Sequence, residues 1–66
     1  MKITINGTTK EFTTSCLLSD IVKQYCKEPK HIITELNGQI VVSSNWEKTT
    51  LKDSDTIELV AFVGGG

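Results

Sequence analysis

Three glycines close the chain, Gly64-Gly65-Gly66, directly after the apolar run Thr56-Ile57-Glu58-Leu59-Val60-Ala61-Phe62-Val63. Glycine lacks a Cβ, so a terminal glycine carboxylate can be threaded where no other residue fits. No comparable constellation for chemistry stands elsewhere in the sequence. We therefore expect the reactive atom, if the chain carries one, to be the carboxyl carbon of Gly66, with Gly64 and Gly65 as the thread that delivers it. Idle glycines at a chain end are common, and a glycine scar is also conceivable. Against both, the glycines follow a strand-like run with no Ser or Pro spacer, and the sequence starts at Met1 without a tag. Extended at ~3.5 Å per residue, three glycines reach ~10 Å, enough to enter a narrow channel.

The other chemistry-bearing residues point nowhere in common. If Cys16 and Cys26 lie on one helix, ten residues separate them by ~15 Å of rise, beyond the ~7 Å Cα limit of a disulfide. Their spacing is not that of a CxxC redox or zinc pair, so reduced thiols in or near the core are expected. His31, the one histidine, follows Lys30 in a loop and reads as surface. Asp53 and Asp55 resemble a fragment of a calcium loop without its glycine and distal glutamate, and read as a solvated turn. No metal site is expected. Trp46 reads as a cover over the core beside Leu51.

The chain has 66 residues, with seven lysines, no arginine, eight acids and a net charge of −1. A chain of this size buries about 60% of its unfolded surface, enough for one small core. Such a core supplies ~3–5 kcal/mol, which argues against a deep pocket with catalytic machinery of its own. A module that presents a surface or a tail to a larger partner fits better. Phe12, Tyr25, Trp46 and Phe62 are scattered and not interleaved with basic residues, so nucleic-acid binding has no support. No apolar run approaches the ~20 residues that span a bilayer. The N-terminal run breaks at Asn6-Gly7, too soon for a signal-peptide core. A cytoplasmic protein is expected, without membrane contact.

The elements that must position the tail can be read from the periods. Lys2-Ile3-Thr4-Ile5-Asn6 alternates as a half-buried strand does. Asn6-Gly7 is a hairpin turn, since both residues tolerate positive φ. A second strand runs roughly from Thr8 to Thr13 with Phe12 as anchor. Leu17, Leu18, Ile21, Val22 and Tyr25 then form one apolar stripe of a helix. Thr14 or Ser15 is its N-cap, and Pro29 ends it near Cys26 or Lys27. Ile32 to Leu36 is a third strand, Asn37-Gly38 a second hairpin turn, and Gln39 to Val42 the return. Ser43-Ser44-Asn45 is a loop, Trp46-Glu47-Lys48 a short helical turn, and Thr56 to Val63 the last strand.

This order describes an α+β domain over residues 1–63, followed by a flexible tail at 64–66. One helix covers one sheet face. A helical crossover lets the last strand pair parallel to the first, in the middle of the sheet. Ile57, Leu59, Ala61 and Val63 should then face the helix with Ile3, Ile5, Phe12, Leu18, Ile21, Val22 and Leu36. Glu58, Val60 and Phe62 fall on the open face. Apolar groups there are a partner's landing site or lone exposed residues. Their place beside the tail favours a partner-binding surface.

Ile3-Thr-Ile-Asn-Gly7, Leu36-Asn-Gly-Gln-Ile-Val41, Trp46, Leu51-Lys-Asp-Ser-Asp-Thr-Ile57 and Val63-Gly-Gly-Gly66 together carry a resemblance over essentially the whole chain. The sequence resembles the ThiS family, the sulfur carriers of thiamin biosynthesis. That resemblance implies a ubiquitin-like β-grasp fold, a mixed sheet of four to five strands with one main helix. Two departures stand out. The family often carries Pro-Arg where Val42-Ser43 stand, which removes any partner contact made through that arginine. It commonly has Asp-Gly-Asp where Ser54 replaces the glycine, which suggests a turn that does not need positive φ.

The resemblance also implies a mechanism. An α-carboxyl group has a pKa of ~3.5, so Gly66 is an anion and a poor electrophile at neutral pH. An E1-like (ThiF-like) adenylyltransferase would join it to AMP, using ATP, and the carrier would bind no cofactor. A persulfide-bearing donor protein would convert it to a thiocarboxylate. A ThiG-like thiazole synthase would accept the sulfur. The chain would be a co-substrate and not an enzyme. The small subunit of molybdopterin synthase shares the fold and the thiocarboxylate but is typically longer. A ubiquitin-like protein modifier and a plain β-grasp interaction module would share the fold as well.

Overall fold

The computed structural model describes residues 1–62; Val63 and the tail Gly64-Gly65-Gly66, with the domain boundary drawn between them, lie outside the described residues. The elements are β1 (Lys2–Ile5), β2 (Thr8–Glu11), α1 (Leu18–Tyr25), a 3-10 turn (Pro29–His31), β3 (Ile32–Leu36), β4 (Gln39–Val41), a 3-10 stretch (Ser43–Lys48) and β5 (Thr56–Ala61). The five strands form one sheet in the order β2-β1-β5-β3-β4. β5 pairs parallel with β1 and antiparallel with β3. The last strand is thus inserted in the middle of the sheet beside the first, the parallel pairing that a crossover permits.

Both hairpins turn on an Asn-Gly pair. Asn6 and Gly7 have φ of 49° and 83°, and Asn37 and Gly38 have 52° and 86°. Ile5 faces Thr8 and Leu36 faces Gln39 across two-residue loops. Positive φ at both central residues marks type I′ turns, whose twist matches that of the flanking strands.

The start of α1 corrects the sequence reading. Neither Thr14 nor Ser15 caps it. Leu17 is the N-cap, in extended geometry, and its N–H donates to Asp20 Oδ2 at 2.9 Å. The cause is a short pairing ahead of the helix. Leu51 N–H donates to the Cys16 carbonyl at 2.9 Å and Leu18 N–H to that of Thr49 at 2.8 Å. That pairing keeps residues 16 and 17 extended, so the first helical turn begins later. The far end is as expected: Cys26 is the C-cap, and Pro29 opens the following 3-10 turn. Cys16 and Cys26 therefore flank the helix, both free and packed against the core.

Ile3, Ile5, Leu18, Ile21, Val22, Trp46, Leu51 and Ile57 form the buried core, with Phe12, Leu36 and Leu59 partly buried against it. Trp46 is 8% exposed, more deeply placed than a mere cover. Its Nε1–H donates to Thr34 Oγ1 at 2.9 Å and to the Val41 carbonyl at 3.0 Å. Thr34, fully buried, donates its hydroxyl to the same carbonyl at 2.9 Å. An indole buried this deeply needs such partners, because an unmatched buried donor costs ~1–3 kcal/mol.

The turn before β5 also departs from expectation. Asp55 is buried at 6% exposure and is not a solvated residue. Its Oδ2 accepts from Lys52 N–H at 2.8 Å and its Oδ1 from Asn37 Nδ2 at 3.0 Å. Asp53 Oδ1 accepts from Lys2 N–H at 2.7 Å. Ser54 between them has φ of +74°, so the turn does use the left-handed region despite the missing glycine. The geometry is imposed from outside: Ser54 N–H donates to the Lys2 carbonyl at 2.7 Å, while the flanking carboxylates are tied to Lys2 and Lys52.

Candidate functional site

β5 leads toward the glycines, so what holds it decides how they are presented. On the β3 side the register runs from Leu36↔Ile57 to Ile32↔Ala61. Its outermost rung among the described residues is Phe62 N–H to the His31 carbonyl at 2.9 Å. On the β1 side the ladder is short, with Thr4↔Thr56 and Ile5↔Ile57. Asn6 N–H adds a bond to the Ile57 carbonyl at 2.9 Å, and then the chain turns away. The Asn6 side chain supplies the next rung. Its Oδ1 accepts from Leu59 N–H at 2.7 Å and its Nδ2 donates to the Leu59 carbonyl at 3.2 Å. A side-chain amide has the same donor and acceptor as a peptide unit, so it stands in for a strand residue.

The open face carries the surface read from the sequence. Val60 is 48% exposed, Phe62 42%, and Glu58 is exposed. The structure adds three residues that the sequence reading missed: Ile33, Ile40 and Val42, all exposed. Ile33 lies directly opposite Val60. Pro29, Ile33, Ile40, Val42 and Phe62 line a hollow of about 380 Å³. The signal was present, since Ile32, Thr34 and Leu36 point to the helix and a two-residue period must send Ile33 the other way. Exposed apolar residues gathered in one strip are less ordinary than scattered ones, and they mark contact surfaces.

Charge sharpens the strip. Glu58 lies directly opposite Glu35 in the β3–β5 register. Like charges facing each other across strands are destabilising, so this pair puts an acidic spot on the open face. His31 is on the surface as expected. Its ring lies 6.0 Å from that of Phe62, tilted at 56°, and its Nδ1 is 4.0 Å from Glu28 Oε2. That link to Phe62 was invisible in the sequence.

The helix face of β5 is only partly covered. Ile57 is buried and Leu59 half-buried, but Ala61 is exposed. Helix α1 has eight residues and so spans only ~12 Å. Tyr25, its last residue, is 40% exposed rather than part of the core.

The thiols are held protonated. Burial raises the Cys16 pKa from its ordinary 9.0, and the charge of Asp20 raises it further; burial alone raises that of Cys26. Neither is poised as a nucleophile, because the thiolate is the reactive form. Among the described residues no three His, Cys, Asp or Glu side chains gather as metal ligands. No helix among them is long and apolar enough to cross a membrane. The site is therefore a rigid central strand with an apolar, acid-edged face.

A model of the ThiS family matches residues 3–66. A thiazole synthase of Paramagnetospirillum magneticum is 32% identical over 66 residues, which is 100% of this chain and 20% of that protein. The chain thus spans one fifth of that relative's length. The sulfur carrier protein ThiS of Bacillus subtilis is 39% identical over 49 residues, 74% of each protein. The crystal structure of the thiamine biosynthesis protein ThiS from Geobacter metallireducens superimposes with a TM-score of 0.86 at 28% identity, covering 100% of both chains.

Proposed function

The chain belongs to the ThiS family, and on that premise we propose that it is a sulfur carrier of thiamin biosynthesis whose working group is the carboxyl of Gly66. The observation that carries this reading is the junction at Phe62. An apolar strip, Ile33, Ile40, Val42, Val60 and Phe62, ends where the sequence continues into Val63-Gly64-Gly65-Gly66. A partner that works on Gly66 must cover that strip. Contacts there offset the ordering entropy of the glycines, which is large because glycine has the most freedom to lose.

The carboxylate must first be activated. An E1-like adenylyltransferase joins it to AMP, with ATP as the second substrate and pyrophosphate as leaving group. The terminal sulfur of a donor protein's persulfide then displaces AMP to give an acyl disulfide, and a second thiol attacks the donor's sulfur, releasing the thiocarboxylate and leaving the two thiols joined as a disulfide. The sulfur passes to a thiazole synthase. The likeness of the whole chain to one fifth of a thiazole synthase supports that partner. The chain acts as co-substrate: Gly64 and Gly65 thread the partner's channel, while Val60, Phe62 and Glu58 dock on its rim.

The test is incubation with ATP, a matching E1-like enzyme and a sulfide source, followed by intact mass. The parent chain should gain the mass of sulfur replacing oxygen. A chain lacking Gly66 should gain nothing while keeping its circular dichroism and melting temperature. Full transfer by the truncated chain rejects the proposal.

A further inference from the structure

Asn6-Gly7 and Asn37-Gly38 stand at the tips of the two hairpins. In an unconstrained chain an Asn-Gly step is chemically labile. The glycine nitrogen, having lost its proton, attacks the asparagine Cγ, and ammonia leaves as a five-membered succinimide closes. Water then opens the ring to aspartate or isoaspartate. Glycine is the most permissive successor because it has no side chain to obstruct closure.

Here both side-chain amides are fully engaged. Asn6 bonds the N–H and the carbonyl of Leu59, at 2.7 and 3.2 Å. Asn37 Oδ1 accepts from Thr56 N–H at 2.9 Å, and its Nδ2 donates to Asp55 Oδ1 at 3.0 Å. The oxygen and nitrogen flanking each Cγ are both held, in Asn6 by β5 and in Asn37 by β5 and the Asp55 turn. Cγ can swing onto the glycine nitrogen only after two hydrogen bonds break together. We propose that Asn6 and Asn37 are latent deamidation sites that the native fold protects, with water as co-reactant, and that their conversion records each long departure of the hairpins from β5.

The conversion is self-sealing. Aspartate at position 6 still accepts from Leu59 N–H, but its second oxygen faces the Leu59 carbonyl in place of a donor. At position 37 a new carboxylate meets that of Asp55, which is 6% exposed and loses the Asn37 donor. Isoaspartate adds a methylene to the backbone of a two-residue loop, which the I′ register cannot absorb. A chain modified while open therefore refolds less well, and the loss falls on the central strand.

The experiment follows the parent chain at mildly alkaline pH, native and in concentrated urea, with peptide mapping for aspartate and isoaspartate at positions 6 and 37. Modification of a protected group tracks the open population, so the native rates should be at least ~10-fold lower. Asn37→Asp should unfold at lower urea concentration than the parent. Asp55→Asn in the same chain should recover part of the loss, since an amide at 55 can again pair with a carboxylate at 37. Equal rates in the native and unfolded states overturn the proposal. So does an Asn37→Asp chain as resistant to urea as the parent. The rate comparison uses the parent alone and stands even where a variant fails to fold.

Discussion

Ser54→Gly should stabilise the protein. Ser54 has φ of +74°, where a residue with a Cβ is disfavoured by ~1–2 kcal/mol. Glycine removes that penalty but adds ~0.5–1 kcal/mol of freedom in the unfolded chain. The backbone bond from Ser54 N–H to the Lys2 carbonyl, 2.7 Å, needs no side chain. The balance is a gain of about 0–1.5 kcal/mol, and its midpoint of about 0.75 kcal/mol raises Tm by about 3–6 °C for a domain of this size. Differential scanning calorimetry reads it directly. Asn6→Gly is the counter-experiment. Its φ of 49° is also left-handed, but asparagine tolerates that region. The change also removes two hydrogen bonds to Leu59, each contributing ~0.5–1.5 kcal/mol. Its Tm should fall. A lower Tm for Ser54→Gly, or shifts of the same sign for both variants, would refute the reasoning.

Three further outcomes are expected. Phe62→Asp should leave the fold intact, since the ring is 42% exposed, and should weaken binding to the adenylyltransferase or the synthase at least ~10-fold by isothermal titration. Unchanged affinity for both partners would remove Phe62 from the site. Trp46→Phe keeps the ring in the core but deletes the Nε1 donor to Thr34 and Val41, and should cost ~1–3 kcal/mol in urea unfolding; no shift in midpoint would show those bonds to be idle. The raised thiol pKa values make stability pH-dependent on the alkaline side. The folded thiols keep their protons where the unfolded ones lose them, so their contribution is intact below about 9 and is lost as pH rises through the folded values. A chain with Cys16→Ser and Cys26→Ser should lose that alkaline decline, and an unchanged pH profile would contradict it.

The architecture was legible because its signals are local. Asn6-Gly7 and Asn37-Gly38 mark both hairpins, the switch from period two to period 3.6 marks α1, and Pro29 marks its end. The central place of β5 followed from a crossover rule rather than from any residue. What escaped were effects that depend on residues far apart in sequence. Leu17 caps the helix because Cys16 and Leu18 pair with Thr49 and Leu51. Asp55 is buried because Asn37 reaches it across the sheet. Ser54 is left-handed because Lys2 and its own neighbours bind the turn from both sides. Of the site, Val60, Phe62 and Glu58 were read correctly as open-face residues. Ile33, Ile40 and Val42 were missed because β3 and β4 were read as turn-flanking strands without following both of their faces.

The third position of β5 in the sheet has a mechanical consequence. A pull directed along the axis of β5 would load a strand bonded to neighbours on both flanks. Such a load acts in shear, so many rungs resist it at once, whereas an edge strand peels open one rung after another. The load is carried by β3 along the whole of β5 and, toward the strand's start, by β1 and the Asn6 side chain as well, so the carrier can be tugged by its end without being unravelled from it.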